Sequence, residues 1–356
     1  MGRKMTVTMA LIARRLNLSP ATVSRVLSGK GQNFISESTR KRVIEVAAEL
    51  GYVASRPDGS APAHRMGVIA LWIRNPNAPF YARIIHGMQS IAAAEGSDLI
   101  LSGFNDEGGE PDFLNTQTRA ISPSAWKVDG IIGVDCPRRI QAYFERAHAR
   151  GRAVPVIVAG SEPITGLDSV TFDPHAGAEA ATQHLLRNGR TRIAHLTGGC
   201  SIPSISLARA QMYERVIARA GHTPLILSAR DETRAAARQC IRDAIATNLD
   251  FDAIFCLNDD MAIGAYRGLL DEGRRVPADV AIVGYDSIDD TEYLEVPITS
   301  VRQDQAALVA KSWELLWRRI AQPNSESVSV VLQPELVIRD SCGANPNRSE
   351  VSESAC

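Results

Sequence analysis

The chain has 356 residues, of which 45% are hydrophobic and 22% are charged, an ordinary composition for a globular protein. This length exceeds one ordinary domain and fits a small domain followed by a larger one. No long apolar run predicts a transmembrane helix, and the segment Met1–Ala10 lacks the apolar core of a secretion signal. The six cysteines include no Cys-x-x-Cys pair, so we expect no disulfide framework, no metal site and a cytoplasmic location. Because no transmembrane helix is predicted, we expect no membrane partner.

The formal net charge of −1 hides an uneven distribution of charge along the chain. Residues 1–56 hold ten basic and three acidic side chains, a balance of +7, whereas the remainder holds 29 basic and 37 acidic side chains, a balance of −8. A basic head on an acidic body is typical of a nucleic-acid-binding module, although a basic terminus can also be no more than a solvated segment.

Three short helices are predicted in this basic head. Thr8 can cap a first helix that ends before Asn17, a residue that tolerates the left-handed conformation of a tight turn. Ser19 can cap a second helix, and Pro20 stands at its first position, where the missing N–H costs nothing. Apolar spacing predicts a third helix over about residues 36–51.

The outer face of the second helix is small, rich in hydroxyls and basic. A helix of this kind, entered through a short turn, fits the major groove of DNA. There Arg25 can donate two hydrogen bonds to guanine, while Thr22 and Ser24 suit contacts with phosphate. A three-helix bundle used for protein contacts fits the same pattern, so spacing alone leaves both interpretations open.

The residues of the head resemble the DNA-binding signature of the LacI/GalR family of transcriptional regulators. The resemblance is carried by the run Thr22-Val23-Ser24-Arg25-Val26-Leu27, by the segment 36–43 and by Leu50-Gly51-Tyr52. It implies that residues 20, 21 and 25 read bases and that a homodimer binds a near-palindromic, double-stranded operator DNA. The candidate DNA-contacting residues are therefore Thr8, Ser19, Pro20, Ala21, Thr22, Ser24 and Arg25.

The segment 54–64 departs from the family pattern. The family typically has a hinge helix here, which folds on DNA and inserts a leucine into the minor groove. In this chain Pro57, Gly59 and Pro62 oppose a helix, and no leucine stands at the inserting position. We therefore predict a flexible linker, weaker kinking of the operator and looser coupling between the sensor domain and the head.

Beyond residue 65, apolar runs alternate with helical patterns. This alternation predicts parallel sheets with helices on both faces, in two doubly wound lobes that place a ligand at the carboxyl ends of their strands. No glycine-rich phosphate-binding loop is present, and we expect no cofactor. The predicted strands span residues 67–73, 98–104, 130–135, 154–160, 192–198, 253–258 and 280–286, and the predicted helices 79–95, 175–188, 207–220, 233–247 and 260–272.

The body resembles the same family over nearly its whole length. The best stretches are Asn77–Tyr81, Val128–Ile132, Asn258–Ala265 and Arg275–Asp286. The resemblance implies an α/β fold in which a helix-turn-helix head precedes two type 1 periplasmic-binding-protein-like lobes, with three crossovers and an effector in the cleft. The predicted boundaries are a head over 1–53, a linker over 54–64, a sensor and dimerisation domain over 65–342 and a tail over 343–356. Within the sensor, lobe 1 is expected over about 65–170 plus 301–330, and lobe 2 over about 171–300 plus 331–342.

The candidate effector-binding residues lie at predicted strand ends and at family positions. Asn258 and Asp286 end strands, and the resemblance implies effector contacts at both and at Arg209. Phe80 and Tyr81 match positions that give the ligand an apolar wall. Asp135 and Asp173 also end or follow strands, and they complete the set Phe80, Tyr81, Asp135, Asp173, Arg209, Asn258 and Asp286.

Structural alternatives exist for several of these residues. Asp286 could be a turn-forming residue that does not contact a ligand, and Arg209 could form a structural ion pair with an acid. Asp259 is predicted to cap the following helix rather than to contact a ligand. Trp126, Trp313 and Trp317 are predicted to be core or interface residues, and the spacing of Trp313 and Trp317 places both on one helix face.

Three functions fit a two-lobed binding fold. A regulator, most often a repressor, is predicted, with operator affinity tuned by a small-molecule effector, most simply a sugar or sugar derivative. A transporter's solute-binding protein would lack the DNA-binding head, and no catalytic constellation predicts an enzyme. Sugars, sugar acids and purines stay open as effectors, as do the operator sequence and the sign of the response. The tail lacks leucine heptads, so a coiled-coil tetramer is not expected.

Overall fold

A computed structural model describes residues 9–28, 35–49, 67–103, 128–149, 154–160, 162–199 and 203–344 of the chain. The chain divides into two compact units, Met1–Gly67 and Val68–Cys356, and each has its own hydrophobic core. Thr8, the predicted linker over 54–64 and Trp126 lie outside the described residues.

The first unit contains the three predicted helices. Asn17, between the first two, adopts a positive φ of 54°, as a tight turn requires. Ser19 caps the second helix, because its Oγ accepts a hydrogen bond from the backbone N of Thr22 at 3.1 Å. The helices are α1 (Met9–Leu16), α2 (Pro20–Ser28) and α3 (Glu37–Glu49).

A small apolar core holds these helices together. Ile12 and Ala13 of α1, Val23 of α2 and Val43 of α3 are buried against one another. Because α2 turns Val23 inward, the opposite side of that helix lies at the surface.

The second unit alternates strands and helices, as predicted. Its strands are β1 (Val68–Ile73), β2 (Asp98–Gly103), β3 (Gly130–Val134), β4 (Val156–Gly160), β5 (Asp168–Phe172), β6 (Ile193–Gly198), β7 (Leu225–Ala229), β8 (Ala253–Cys256), β9 (Ala281–Asp286), β10 (Thr299–Arg302), β11 (Ser329–Leu332) and β12 (Glu335–Val337). Its helices are α4 (Pro79–Ala94), α5 (Pro137–Ala149), α6 (Pro174–Arg187), α7 (Pro203–Arg219), α8 (Arg234–Ala246), α9 (Asp259–Asp271) and α10 (Gln305–Ala321). Two short 3₁₀ turns span Asp289–Thr291 and Asp340–Cys342.

The strands form two six-stranded sheets, one in each lobe. Lobe 1 has the order β11-β5-β4-β3-β1-β2, with all neighbours parallel. Lobe 2 has the order β12-β10-β9-β8-β6-β7, parallel except for the antiparallel pair of β10 and β12. The chain passes between the sheets after β5, after β10 and after β11, which confirms the predicted two lobes and three crossovers. The predicted domain and lobe boundaries stay predictions.

Five strands and two helices were not predicted from the sequence. β7 and β11 are edge strands and half-exposed, so they lack the continuous apolar run that marks a central parallel strand. β5 begins with a buried aspartate, Asp168, whose charge masks the pattern. The other unpredicted elements are β10, β12, α5 and α10.

The sequence expectation of a core role is confirmed for Trp313. Its side chain is 2% exposed in the core of lobe 1, and its ring meets the ring of Trp317 edge-on at 5.9 Å. Within the described ranges, no helix is long and apolar enough to cross a membrane.

Candidate functional site

The exposed face of α2 carries most of the predicted DNA-contacting residues. Ser19, Pro20, Ala21 and Arg25 are exposed and Thr22 is partly so. The hydroxyls of Ser19 and Thr22 lie 2.8 Å apart and share a hydrogen bond, which fixes both at the start of the helix. The backbone of Ser24 belongs to α2, but its side chain, like all of Thr8, lies outside the described part of the head.

Lobe 1 brings three of its predicted site residues into contact. Phe80 and Tyr81 open α4, and their rings meet edge-on at 5.1 Å. The Tyr81 hydroxyl donates a hydrogen bond to Asp135 Oδ2 at 2.8 Å, joining α4 to the end of β3. Burial raises the pKa of Tyr81 well above its usual value, and the charge of Asp135 adds to the shift, so the phenol keeps its proton.

A glycine makes room for the Asp135 carboxylate. Asp135 adopts a positive φ of 53°, and Gly160, at the end of the neighbouring β4, has a φ of 91°. A Cβ at Gly160 would overlap Asp135 Oδ1, so this position requires glycine. The ends of β3 and β4 are therefore shaped around one carboxylate.

In lobe 2, Asn258 has the capping role that the sequence assigned to Asp259. The Asn258 side chain accepts a hydrogen bond from Met261 N at 2.9 Å, so Asn258 is the cap of α9 and the prediction for Asp259 was wrong. Asn258 Nδ2 also donates to Glu232 Oε2 at 3.3 Å. One side chain thus both begins the helix and contacts the loop before α8.

Asp259 is instead a buried carboxylate that holds the segment after β9. It is 0% exposed, and it accepts hydrogen bonds from Ile288 N at 2.8 Å and from Ser300 Oγ at 2.7 Å. Burial raises the pKa of Asp259 to about 7, against the lowering effect of the hydrogen bonds from Ser300 and Ile288. Asn258 and Asp259 are thus neighbours in sequence with different structural roles: Asn258 caps α9, and Asp259 holds the segment after β9.

Asp286 ends β9 in an unusual backbone conformation. Its φ is 108°, and the next residue, Ser287, has a φ of 52°. Such angles cost energy in a residue other than glycine and are held by surrounding contacts, here the hydrogen bond from Ser287 N to Ser300 Oγ at 3.0 Å. Burial raises the pKa of the Asp286 carboxyl well above its usual range, while Arg209 opposes this shift.

Arg209 is a buried cation beside Asp286. Its side chain is 6% exposed, Nη1 donates to the carbonyl oxygen of Leu257 at 2.6 Å, and the guanidinium lies 3.4 Å from the ring centroid of Tyr285. Within the described ranges its Nε has no hydrogen-bond partner. In the part of the chain that the structure describes, a backbone oxygen and an aromatic ring therefore hold this guanidinium beside Asp286.

Asp173 is a helix cap in this structure. Its Oδ1 accepts hydrogen bonds from His175 N at 2.9 Å and from Ala176 N at 3.1 Å, at the start of α6. The pKa of Tyr285 is raised chiefly by burial, and the charge of Asp173 adds to this increase. Asp173 thus has one carboxylate oxygen committed to the start of the helix.

Sequence reasoning missed the contacts that join the two lobes. Arg74, after β1, lies 3.8 Å from Glu232 Oε2, after β7, with side chains 18% and 19% exposed. Arg83 of α4 donates to the carbonyl oxygen of Ser287 at 2.9 Å and pairs with Asp289. Arg74 and Glu232 follow strand ends, so the rule that selected Asp135 could have found them.

Comparisons with known proteins agree with this architecture. The profile of "Bacterial regulatory proteins, lacI family" matches residues 8–55, and that of "Periplasmic binding protein-like domain" matches residues 182–342. The regulator CelR of Thermobifida fusca is 30% identical over an alignment 359 positions long, which covers 96% of this chain and 100% of CelR. The chain belongs to the LacI family. As a LacI-family member it is a DNA-binding transcription regulator with an effector-sensing domain, as predicted.

Other LacI-family proteins are similar over nearly the whole chain. The repressor PurR of Photobacterium profundum is 30% identical over 337 residues, covering 93% of this chain and 97% of PurR. A solved CelR–cellobiose complex has a TM-score of 0.66 at 29% identity and covers 94% of this chain and 100% of its own. A LacI-family regulator of Enterococcus faecium with bound ribose has a TM-score of 0.66 at 26% identity and covers 77% of this chain and 98% of its own. The relatives named here are regulators rather than enzymes.

Proposed function

We propose that this protein is a repressor whose binding to its operator depends on whether a small effector is bound between its lobes. The head reads DNA with the exposed face of α2. Arg25 donates to guanine, Pro20 and Ala21 lie against base edges, and the hydroxyls of the candidate set contact phosphate. The exposure of Arg25, Pro20 and Ala21 on a helix whose other side is core supports this assignment.

The effector site lies where strand ends of the two lobes face each other. The observation that carries this proposal is the set of polar side chains around one cleft, in direct contact within and between lobes. The proposed contacts are Phe80, Tyr81, Asp135, Asp173, Arg209, Asn258 and Asp286. Relatives solved with cellobiose and with ribose support a sugar or sugar derivative as the effector.

The protein acts as a homodimer in the cytoplasm and catalyses no reaction. The repressors among its relatives support this setting. No group of His, Cys, Asp and Glu in the described ranges could hold a metal ion. An effector changes operator affinity only by as much as it prefers one lobe arrangement over the other.

An electrophoretic mobility-shift titration tests the proposal. The full-length protein is titrated onto a palindromic fragment from its own upstream region, with random duplex as competitor and with candidate sugars added in turn. We expect specific binding that one sugar changes. Binding equal to that of the competitor at modest ionic strength would refute the DNA assignment, while specific binding unchanged by every sugar would refute the sugar assignment.

A further inference from the structure

One residue that follows β9 of lobe 2 has its side chain in the core of lobe 1. Ile288 is 2% exposed and packs in the hydrophobic core that β1, β3, α4 and α10 form. Its main chain is held by lobe 2 instead, because Ile288 N donates to Asp259 Oδ2 at 2.8 Å and its carbonyl oxygen accepts from Thr291 Oγ1 at 2.6 Å. A single residue is therefore fixed to both lobes.

The turn that leads into Ile288 is strained and is held by lobe 2 on two sides. Asp286 and Ser287 both have a positive φ, so the turn needs contacts that fix it. Ser287 N donates to Ser300 Oγ at 3.0 Å, and Arg339 Nη2 donates to Ser287 Oγ at 3.0 Å. These contacts leave the carbonyl oxygen of Ser287 for lobe 1.

An arginine of lobe 1 takes up this carbonyl oxygen. Arg83 Nη1 on α4 donates to the carbonyl oxygen of Ser287 at 2.9 Å, and the same guanidinium pairs with Asp289. The contact with the carbonyl oxygen is partly buried, whereas the Asp289 side chain is 74% exposed, so solvent screens the ion pair. Arg83 therefore joins α4 to the turn chiefly through the main chain of Ser287.

This contact lies beside candidate effector residues of both lobes. Ser287 directly follows Asp286, and Arg83 stands two positions after Tyr81 on α4. A ligand that contacts Asp286 or Tyr81 therefore acts on the same turn and the same helix that Arg83 joins. Because packed interfaces switch between discrete arrangements, a small displacement at Asp286 is enough to break the Arg83 contact.

We propose that residues 286–289 form an interlobe clasp that Arg83 closes, and that the state of this clasp changes how strongly the protein binds operator DNA. This inference rests on the proposed sensor function and adds a residue outside the effector set through which the lobes are coupled. Arg83 is a positioning residue, since it contacts the turn rather than the ligand. Loss of its side chain frees the Ser287 carbonyl oxygen and shifts the equilibrium between lobe arrangements.

Hydrogen–deuterium exchange of the full-length protein, without ligand or DNA, tests the clasp itself. In Arg83→Ala we expect the amides of Ser287 and Ile288 to exchange about tenfold faster or more, because the turn loses its hydrogen bond to lobe 1. Arg242→Ala is the matched control, since Arg242 pairs with Glu272 on the surface of lobe 2 alone, and it should leave this exchange unchanged. Unchanged exchange in Arg83→Ala, or an equal increase in both variants, overturns the inference.

Operator titration separates a regulatory clasp from a contact that only supports the fold. Arg83→Ala should differ from the parent in operator affinity by about fivefold or more, a usual size for coupling between sites, whereas Arg242→Ala should match the parent. Faster exchange with parent-like operator affinity overturns the regulatory role. If Arg83→Ala melts below the control, Arg83→Gln, which keeps most of the stem and loses the charge, must change operator affinity instead. A parent that binds no operator refutes the regulator assignment, and the exchange measurement then decides on the clasp separately.

Discussion

At the scale of single residues, Arg25 offers the sharpest test of the DNA interface. The residue is exposed on α2, three positions before the helix ends at Ser28. Arg25→Ala should lower discrimination at one operator position by about 1–3 kcal/mol, because a bidentate contact with guanine is lost. Binding is measured on operators that differ by one base pair at a time.

Two controls accompany this substitution. Arg25→Lys keeps the charge and loses the bidentate geometry, so it should resemble the alanine variant in discrimination. Arg14→Ala removes a charge from exposed α1 and should weaken all sequences alike. An equal loss on every operator in Arg25→Ala would instead make Arg25 a phosphate contact.

The buried carboxyl of Asp259 should make the folded protein less stable as the pH rises. Burial raises its pKa to about 7 from an ordinary value of 3.8, so the folded protein binds this proton more tightly than the unfolded chain. Its contribution to stability is therefore present below pH 3.8 and is lost as the pH rises through about 7. Over this window we expect the unfolding free energy of Asp259→Asn, relative to the parent, to increase by about 1–4 kcal/mol.

Urea unfolding at several pH values between 4 and 8 measures this difference. Asp243→Asn is the control, because Asp243 is exposed on α8 and accepts a hydrogen bond from Gln239 at 2.7 Å. Its difference from the parent should stay nearly constant across the window. Parallel stability curves for the parent and Asp259→Asn would contradict the raised pKa.

At the scale of secondary-structure elements, Asp168 joins three pieces of lobe 1. It begins β5, is 1% exposed, and accepts from Arg319 Nε at 2.6 Å and from Val328 N at 2.8 Å. Arg318 of the same helix, α10, lies 3.3 Å away. Burial opposes the ionisation of Asp168, but these hydrogen bonds and charges lower its pKa. The carboxylate therefore stabilises the contact of β5, α10 and β11.

Removal of this carboxylate should weaken lobe 1. We expect Asp168→Ala to lower the unfolding free energy by about 2–4 kcal/mol, because two arginines and a backbone N–H lose their acceptor. Denaturant unfolding measures the loss. Glu314→Gln, in the exposed pair with Lys311 on the same helix, should cost less than about 0.5 kcal/mol. An equal loss of unfolding free energy in both variants would contradict the proposed stabilising role of Asp168.

At the scale of the whole molecule, the uneven charge predicts a strong dependence of operator binding on salt. The head holds ten basic side chains, and a homodimer brings two heads to the DNA. Six to ten phosphate contacts would lower affinity by about 10³–10⁵ between 50 and 200 mM salt, because condensed counterions are released on binding. Titrations at four salt concentrations measure the slope. A nearly flat slope would contradict an electrostatic interface.

The sequence of the linker predicts how strongly the protein bends operator DNA. With Pro57, Gly59 and Pro62 in place of a helical pattern, the segment 54–64 should bend operator DNA less than a leucine-inserting hinge does. A circular-permutation gel assay measures the bend. A variant whose linker carries the hinge pattern Pro-Asn-x-x-Ala-Arg-x-Leu serves as the comparison and should bend the same operator more. Equal, strong bending by both proteins would contradict the prediction.

Local patterns determined a large part of this protein. Caps and apolar spacing placed the three head helices, and apolar runs placed seven of the twelve strands, because these signals depend on residues close in sequence. Family motifs gave the class of protein, and the strand-end rule found Tyr81's partner Asp135 and the cap-forming Asn258. Three of the four edge strands, β7, β11 and β12, were not predicted, because these short, half-exposed strands lack a continuous apolar run.

Only the tertiary structure decided which side chains meet. Arg83 and Ser287 lie 204 residues apart in sequence yet are joined by a hydrogen bond, and Arg74 meets Glu232 across the cleft. The burial that moves the pKa of Asp259, and that leaves Glu232 Oε1 without a donor among the described residues, comes from packing of distant segments. A sequence pattern fixes the face on which a residue stands, whereas its solvation and its partners depend on the whole folded chain.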